Sequence, residues 1–404
     1  MAQKLKFGNG TWATKKGSTL AYNDENNNYK PLPFTTTRDS IATRVNKEGL
    51  IEVVGNDVPR IDYTDSADGA LLLEPTRSNY DSESTNFSTS FMSNSAGIQS
   101  SSLVSNIAPD DSINSVYKIS KVTDNSDPYI GRSGVSFTNT SMVFSVWLWT
   151  DENQPKDVLF LVYRDGVQEV QTKNITLTTT PTRYFIEASF TTTPSNVTYR
   201  IDLTPNSSNQ YIYAWGKQLE SGSYATSYIP TNGSAVTRQA DTASGAGNDV
   251  VFNDSEGVLF FNLNTLDTSS VPVFSLSDGT FSNEIEFAYY GTNQWNVISR
   301  VGGANTSVVG TVNGDAYSKF SVSYTSSNFK VFLNGFLIGS NTMASAFSGL
   351  KKINFSYPDE ANPFQGKTKE IGYYDEILTD LELETLTSYR SLNELVTELN
   401  LNEL

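Results

Sequence analysis

Short apolar segments separated by polar turns recur along most of the chain. Residues 142–149 (MVFSVWLW) give the strongest strand signal because β-branched and aromatic side chains dominate there. Further segments of strand length lie at 117–120, 158–163, 169–172, 183–190, 197–203 and 211–218. Strands this short, separated by turn-rich sequence, predict a β-sandwich over residues 80–232.

A second series of such segments follows residue 250. Its members are 257–263, 271–276, 285–290, 295–301, 306–312, 319–324, 329–333, 336–339 and 369–374. Asn334-Gly335 lies between two apolar segments, and Asn-Gly between strands is the strongest short-range signal for a β-hairpin. The pattern predicts a second β-sandwich over residues 250–390.

The segments outside the two sandwiches have a different pattern. Residues 211–241 begin with strand-forming alternation and lead into Gly- and Ser-rich sequence at 244–248, which predicts a last strand followed by a linker at 233–249. Residues 1–79 contain few apolar side chains and the polar run NDENNN at 23–28, so we expect an irregular region. Two interpretations stay open for it: a segment that orders against a partner or neighbouring subunit, and a flexible arm.

The C-terminus predicts helix. Residues 379–382 (TDLE) and 391–394 (SLNE) both have the capping-box pattern, and leucines follow at helical spacing through an amphipathic helix at 391–404. This helix either packs on its own domain or joins copies of the chain. The predicted fold class is therefore all-β, with two tandem jelly-roll β-sandwiches, an irregular N-terminal attachment region and a short C-terminal helix.

Composition excludes several classes of function. Lys and Arg number 28 against 44 Asp and Glu, and the formal net charge of -16 argues against binding to nucleic acid. The chain has no cysteine and no histidine, which removes thiolate nucleophiles, Ser-His triads and Cys- or His-based metal sites. The most apolar segments are far shorter than the roughly 20 residues of a membrane-spanning helix, so membrane insertion is not expected.

Two segments that bracket the first predicted sandwich resemble one protein family. The sequence RIDYTDSADGALLLEPTRSNY at 60–80 is similar to a connector of structural and appendage proteins of tailed bacteriophages. In that family a sandwich ends in a strand like AWGKQLE at 214–220 and an exit like SYIPTNGSAVTRQAD at 227–241. The order of the two segments matches that arrangement.

The second half also carries a resemblance. Residues 321–324, the 333–335 hairpin and the segment 371–379 are similar to a concanavalin A-like, laminin-G-like jelly roll. The first sandwich resembles the jelly rolls of carbohydrate-binding modules. These resemblances imply a virion protein, assembled in the host cytoplasm and exposed on the particle, with residues 1–79 contacting other virion proteins.

Glycan binding is the function that the resemblance implies for the first sandwich. Exposed aromatic rings stack on sugar faces while Asn, Asp and Arg bond to hydroxyl groups. The candidate glycan-binding residues are Tyr129, Arg132, Trp149, Tyr163 and Arg164. A second interpretation places the tryptophans Trp147, Trp149 and Trp215 in the core.

An enzyme is not expected, although Glu284 and Glu286 have a spacing that would suit a catalytic carboxylate pair. They share one strand face, as the two carboxyl groups of a retaining glycosidase require, but Ala288 follows where similar glucanases carry a third acid. No cofactor is expected. Asp124 to Asp127 and Asp359-Glu360 offer oxygens to calcium without a defined ligand spacing.

The sequence thus predicts a fibre, spike or appendage subunit of a tailed bacteriophage that displays lectin-like domains for host-surface glycans. The resemblance implies a homo-oligomer, with a trimer as the usual symmetry of such fibres. Two alternatives stay open: a capsid-decoration or tail-assembly protein without glycan binding, and a glycan-degrading hydrolase.

Overall fold

The computed structural model describes residues 3–20, 32–94, 98–121, 128–154, 157–164, 170–203, 210–266, 271–290, 294–311, 318–389 and 391. Within these ranges the chain forms 31 strands and one helix, which confirms the all-β prediction. No helix in the described ranges is long and apolar enough to cross a membrane.

In the described ranges, nine strands precede the first sandwich in the sequence, and ten strands form it. The N-terminal strands are β1 (Leu5–Gly8), β2 (Ala13–Lys15), β3 (Ser18–Leu20), β4 (Phe34–Thr37), β5 (Ala42–Val45), β6 (Ile51–Val54), β7 (Arg60–Asp62), β8 (Ala70–Leu73) and β9 (Arg77–Asn79). The first sandwich contains β10 (Ser93–Asn94), β11 (Ile98–Val104), β12 (Val116–Lys121), β13 (Tyr129–Ser136), β14 (Ser141–Trp149), β15 (Asp157–Arg164), β16 (Val170–Thr176), β17 (Thr182–Ser189), β18 (Asn196–Asp202) and β19 (Tyr211–Ser221).

The remaining elements belong to the connector and the second sandwich. They are β20 (Val236–Arg238), β21 (Thr242–Ser244), β22 (Glu256–Thr265), β23 (Val273–Ser277), β24 (Glu284–Tyr289), β25 (Gln294–Val301), β26 (Ala304–Thr311), β27 (Ser318–Thr325), β28 (Asn328–Leu333), β29 (Phe336–Thr342), β30 (Lys352–Asn354), β31 (Gly366–Tyr374) and α1 (Asp380–Thr387).

Two five-stranded antiparallel sheets make the first sandwich. One has the order β10-β13-β18-β15-β16 and the other β11-β12-β19-β14-β17. Their inner faces meet in one hydrophobic core, where Phe144 of β14 stacks on Tyr199 of β18 with 4.1 Å between ring centroids. Both side chains are fully buried, and each such burial contributes about 1.5–3 kcal/mol.

The second sandwich packs a five-stranded sheet, β26-β25-β24-β23-β30, against a larger sheet that contains β29-β28-β27-β22-β31-β8-β7. Its core is rich in phenylalanine; Phe261 and Phe287 meet edge to face at 4.3 Å. The β28–β29 hairpin turns at Asn334 and Gly335, both with positive φ (49° and 89°), so the predicted hairpin is confirmed.

The N-terminal segment is part of the second sandwich, and the expectation of a separate irregular region was wrong here. Strands β1 and β8 both pair with β31, and β7 pairs with β8. Leu5, Phe7 and Leu71 are buried in the core of that sandwich. The segment has too few apolar residues for a core of its own, but their strand alternation completes the neighbouring one.

The predicted linker 233–249 contains two strands. β20 pairs with β9, and β21 pairs with β4, so the chain between the sandwiches is held against the N-terminal segment on both sides. Ala243 and Ala246 within this stretch lie in the core of the second sandwich. Gly- and Ser-rich composition therefore marks close packing here.

The helix α1 begins at the predicted capping box. The Thr379 side chain accepts a hydrogen bond from the backbone of Glu382, and the Glu382 side chain accepts one from the backbone of Thr379. Leu383 is buried with Val258 and Phe332 of the larger sheet, which docks the helix. Of the predicted second helix, 391–404, only Ser391 lies within the described residues.

Candidate functional site

The outer face of the sheet β10-β13-β18-β15-β16 carries an arginine at its centre. On β18 the side chains of Val197, Tyr199 and Ile201 point into the core, so Arg200 points outward by strand alternation. In the register, Arg200 lies opposite Gly131 on β13 and Leu161 on β15. It is therefore flanked by a strand on each side.

Two tyrosine rings hold the Arg200 guanidinium. Its central carbon lies 3.9 Å from the ring centroid of Tyr129 and 5.1 Å from that of Tyr163, both within the range of cation–π attraction. Tyr129 and Tyr163 come from β13 and β15 respectively, at positions diagonal to Arg200. We call these residues together with Gly131 the Arg200 platform.

Gly131 makes room for the arginine. A Cβ atom at this position would lie 2.9 Å from Arg200 Cγ and 2.3 Å from the carbonyl oxygen of Tyr199, closer than real Cβ atoms approach. The missing side chain lets the aliphatic stem of Arg200 cross toward Tyr129. The platform thus depends on a glycine as well as on its aromatic rings.

No hydrogen bond from the Arg200 side chain to another residue occurs within the described part of the chain. Its Nε is buried and has no hydrogen-bond partner, and no ion pair of its guanidinium occurs among the described residues. The phenol groups of Tyr129 and Tyr163 add further polar atoms to a largely aromatic surface. Such a surface offers stacking together with directed donors to a polar ligand.

Arg132 and Arg164 do not join the platform. In the register Arg132 lies opposite Tyr199, and Arg164 lies opposite Val197; both partners face the core. Arg132 donates to the carbonyl oxygen of Phe91, and Arg164 Nη1 donates to the carbonyl oxygen of Thr192 at 3.1 Å. Of the five predicted residues, the structure brings only Tyr129 and Tyr163 together.

Trp149 lies on the other sheet. It is 5% exposed and stacks on Tyr213, with ring centroids 5.5 Å apart. Beside it, the hydroxyl groups of Tyr211 and Tyr213 both donate to Asp151, and this hydrogen bond raises the pKa of Tyr211 to about 12. Trp215 is buried close by, as expected for a core residue.

The bracketing sequence segments meet in a buried ion-pair network between the sandwiches. Arg60 contacts Glu74 at 2.6 Å and also pairs with Asp241. Arg38 Nη1 lies 2.8 Å from the other oxygen of Asp241, and Arg238 lies 2.8 Å from Glu74. All five side chains are at most 3% exposed.

Electrostatics within this network favour the charged forms. Burial alone would raise the pKa of Glu74, but the guanidinium groups of Arg238 and Arg60, with two hydrogen bonds from Ser227, hold it well below its usual range. Each buried charge has an opposite charge beside it, which is the condition for tolerating charges away from water. The charged residues of the two bracketing segments therefore have a structural role.

Other polar residues of the same motifs are also structural. Asn79 donates to the carbonyl oxygen of Ile229 at 2.9 Å and accepts from the backbone of Leu219 at 3.0 Å. Glu220 accepts hydrogen bonds from both the backbone and the hydroxyl group of Thr226. These bonds tie β9, β19 and the segment that follows β19 into one unit.

The pair Glu284 and Glu286 lies on the outer face of the second sandwich. Both carboxyl groups are buried and contact one guanidinium, that of Arg300 on the neighbouring strand β25; its distance to Glu286 is 2.6 Å. Burial raises the pKa of Glu286 to about 7. The strand alternation predicted for the two glutamates is confirmed.

No group of three or more potential metal ligands occurs in the parts of the chain that the structure covers. Asp359 accepts a hydrogen bond from the backbone of Ala361, and Glu360 has a φ of 67°, so this pair shapes a turn. The other predicted calcium candidates, at 124–127, lie outside the described residues.

Sequence reasoning identified the strand at 197–203 but missed Arg200 within it. The signal was present: apolar residues at 197, 199, 201 and 203 leave 198, 200 and 202 on the opposite face. An arginine at the middle of an outward face, opposite a glycine, is the combination to look for.

No family model matches the sequence, and no curated protein matches it. The Ruminococcus gnavus IT-sialidase CBM40 bound to alpha2,3 sialyllactose is similar over 36% of this chain and 94% of its own, with 16% identity and a TM-score of 0.30. The SAP-like pentraxin from Limulus polyphemus is similar over 34% of this chain and 72% of its own (12%, 0.29). The N-terminal CBM22-1-CBM22-2 tandem domain from Paenibacillus barcinonensis Xyn10C is similar over 75% and 97% (10%, 0.27). Identities and TM-scores this low carry no argument about a ligand, so any ligand assignment rests on the residues of the site.

Proposed function

We propose that the protein is a lectin-like structural subunit that binds glycans through the Arg200 platform. The observation that carries the proposal is the Arg200 guanidinium held between the rings of Tyr129 and Tyr163 on the outward face of a sheet. Sugars combine apolar CH faces with hydroxyl groups, so a ligand of this class uses both the rings and the donors.

The rigidity of the platform supports binding. All three side chains extend from regular strands of one sheet, and Gly131 and the two rings restrict Arg200. Groups that are already ordered lose little conformational entropy when a ligand binds, which favours affinity. A single shallow site of this kind is nevertheless weak, and repeated copies raise the avidity of the whole assembly.

The place of the protein is proposed from sequence resemblance. The segments at 60–80 and 227–241 resemble those of tailed-bacteriophage appendage proteins, and we propose a virion subunit that forms a homo-oligomer, as a trimer, and attaches to host-surface glycans. Electron microscopy of the particle and light scattering of the purified chain test these two statements. A monomer in solution and absence from the particle would contradict them.

A purely structural role is the second candidate. The buried network that joins Arg38, Arg60, Glu74, Arg238 and Asp241 favours it, because it makes the connector and both sandwiches one continuous structure. A particle-decoration or assembly protein needs such continuity without any ligand. A measurement of glycan binding distinguishes the two candidate functions, because only the lectin-like subunit requires it.

The test is a glycan array probed with the full chain and two variants. Tyr129→Ala combined with Tyr163→Ala removes both rings, and we expect glycan binding to fall about tenfold or more. Arg164→Gln is the matched control, since Arg164 is bonded to Thr192 away from the platform, and it should bind like the parent.

Far-UV circular dichroism and thermal unfolding establish that each variant is folded. Equal binding by the double variant and the parent would overturn the assignment of the platform. A folded parent that binds no glycan at all would favour the structural role.

A further inference from the structure

We infer that the ligand of the Arg200 platform is an acidic sugar that presents a carboxylate to Arg200. This inference rests on the proposed glycan-binding function and names the ligand class of the same site. A guanidinium has five N–H donors, and within the described residues none of those of Arg200 meets a carboxylate.

Two fully buried arginines, Arg38 and Arg60, show how the chain compensates a guanidinium that is removed from water. Arg38 and Arg60 each have a carboxylate partner and several hydrogen bonds, and both are fully buried. Arg200 has two aromatic faces against it and an edge without a carboxylate partner in the described chain. Its stacking holds the group in place, and the two terminal amino groups, rather than the buried Nε, are the donors available to a ligand.

The position of the rings sets how an anion approaches. Tyrosine faces cover the flat sides of a guanidinium, while its N–H groups lie in the plane and point outward at the edges. A carboxylate meets such an edge with two parallel hydrogen bonds, which are about twice as strong as neutral ones. A neutral hydroxyl group accepts one bond without charge assistance.

The charges around the platform favour a single negative charge. In the register, the outward positions of β15 and β16 next to Arg200 are occupied by Leu161 and Thr172, and no second cation shares this face among the described residues. Asp202, two residues along β18, adds a carboxylate on the same face, and its negative charge opposes the binding of multiply charged anions. One cation matches one carboxylate, whereas phosphate or several sulfates require more.

The rest of the surface sharpens the selectivity. With a formal net charge of -16, the protein repels anions in general, so binding of an acidic glycan depends on the local guanidinium. Attraction between exposed charges decreases as salt screens it. The contribution of Arg200 to the affinity for an acidic glycan, measured as the difference between the parent and Arg200→Gln, should therefore decrease with ionic strength.

The test uses the full chain and pairs of oligosaccharides that differ only in one carboxyl group: glucuronic acid-terminated against glucose-terminated, and sialylated against asialo. Isothermal titration calorimetry at low and raised salt measures both members. We expect the acidic member of at least one pair to bind about tenfold more tightly at low salt. Raised salt should reduce the part of this preference that Arg200→Gln removes.

Two arginine variants and a control assign the preference. Arg200→Gln should make the affinities for both members equal, and Arg200→Lys should retain part of the preference because lysine keeps the charge without the planar fork. Arg164→Gln removes the same charge elsewhere and should leave the preference unchanged.

The outcomes distinguish the inference from the function beneath it. Equal affinity of the parent for acidic and neutral members would overturn the inference and leave glycan binding intact. Binding of neither member, by a folded parent, would overturn both. A preference for acidic members that persists in Arg200→Gln would assign the anion to another part of the protein.

Discussion

Arg60 and Asp241 lie 181 residues apart in the sequence and form an ion pair that is almost completely buried, with side-chain exposures of 0% and 1%. The pair joins the segment before the first sandwich to the segment after it. β7 and β8 belong to the larger sheet of the second sandwich, and Arg60 also donates to the hydroxyl group of Ser227 just after β19, so the contacts of Arg60 connect the two sandwiches. The connector is thus a structural joint.

Replacement of Arg60 by methionine tests this joint. It leaves Glu74 and Asp241 with one fewer cation in a buried place, and removal of one partner of a buried pair costs about 3–5 kcal/mol. Arg44→Met is the control, since Arg44 and Glu52 form a partly exposed pair whose loss costs less than about 1 kcal/mol. Urea unfolding measures both, and equal losses would contradict the assigned role.

Phe7→Ala tests the place of the N-terminal strand. Phe7 is 2% exposed in the core of the second sandwich, so its removal should lower the free energy of unfolding by about 3–5 kcal/mol. Phe336→Ala, at a 73% exposed position of β29, should change it by about 0.5 kcal/mol or less. If Phe7→Ala leaves the unfolding curve unchanged, the strand β1 does not stabilise the sandwich.

Glu286 should make stability depend on pH. Its folded-state pKa of about 7 exceeds the ~4.3 of an unfolded glutamate, so the folded state binds the proton more tightly. The contribution is complete below ~pH 4.3 and is lost as the pH rises through about 7. Glu286→Gln avoids this loss, and its stability relative to the parent should rise over that interval.

Denaturant unfolding at pH 5 and pH 8 measures the effect. Glu52→Gln, at a partly exposed carboxylate, serves as the comparison and should show no rise of this size. A difference between Glu286→Gln and the parent that stays constant with pH would mean that Arg300 keeps the carboxylate charged throughout.

Asp151→Asn should lower the pKa of Tyr211 from about 12 toward the ordinary ~10 of a tyrosine. The charged acceptor for its hydroxyl proton is then missing. Titration of the ring carbon next to the hydroxyl group by nuclear magnetic resonance follows this change. Glu152→Gln removes a charge from the adjacent residue and should leave the pKa of Tyr211 near 12; an equal drop in both variants would exclude the direct hydrogen bond as the cause.

Local pattern was sufficient for much of the architecture. The alternation at 142–149, the Asn334-Gly335 turn and the Thr379 capping box depend on residues close in sequence, and the structure confirms all three. Each follows from backbone geometry and short-range hydrogen bonds, which the local sequence specifies. The membership of the N-terminal strands in the second sandwich depends on pairing across more than 290 residues, as in the pairing of Leu73 on β8 with Gly366 on β31.

The candidate site also depends partly on local sequence and partly on tertiary structure. Sequence alone placed Trp149 and Tyr163 on predicted strands of the first sandwich, and it nominated them together with Tyr129, Arg132 and Arg164, which lay outside the predicted strands. Only the tertiary structure decided which of them meet, because neighbouring strands in the sheet come from distant parts of the chain and their register selects the face. That register puts Arg200 between the two tyrosines, turns Arg132 and Arg164 toward the core side, and places Trp149 on the opposite sheet.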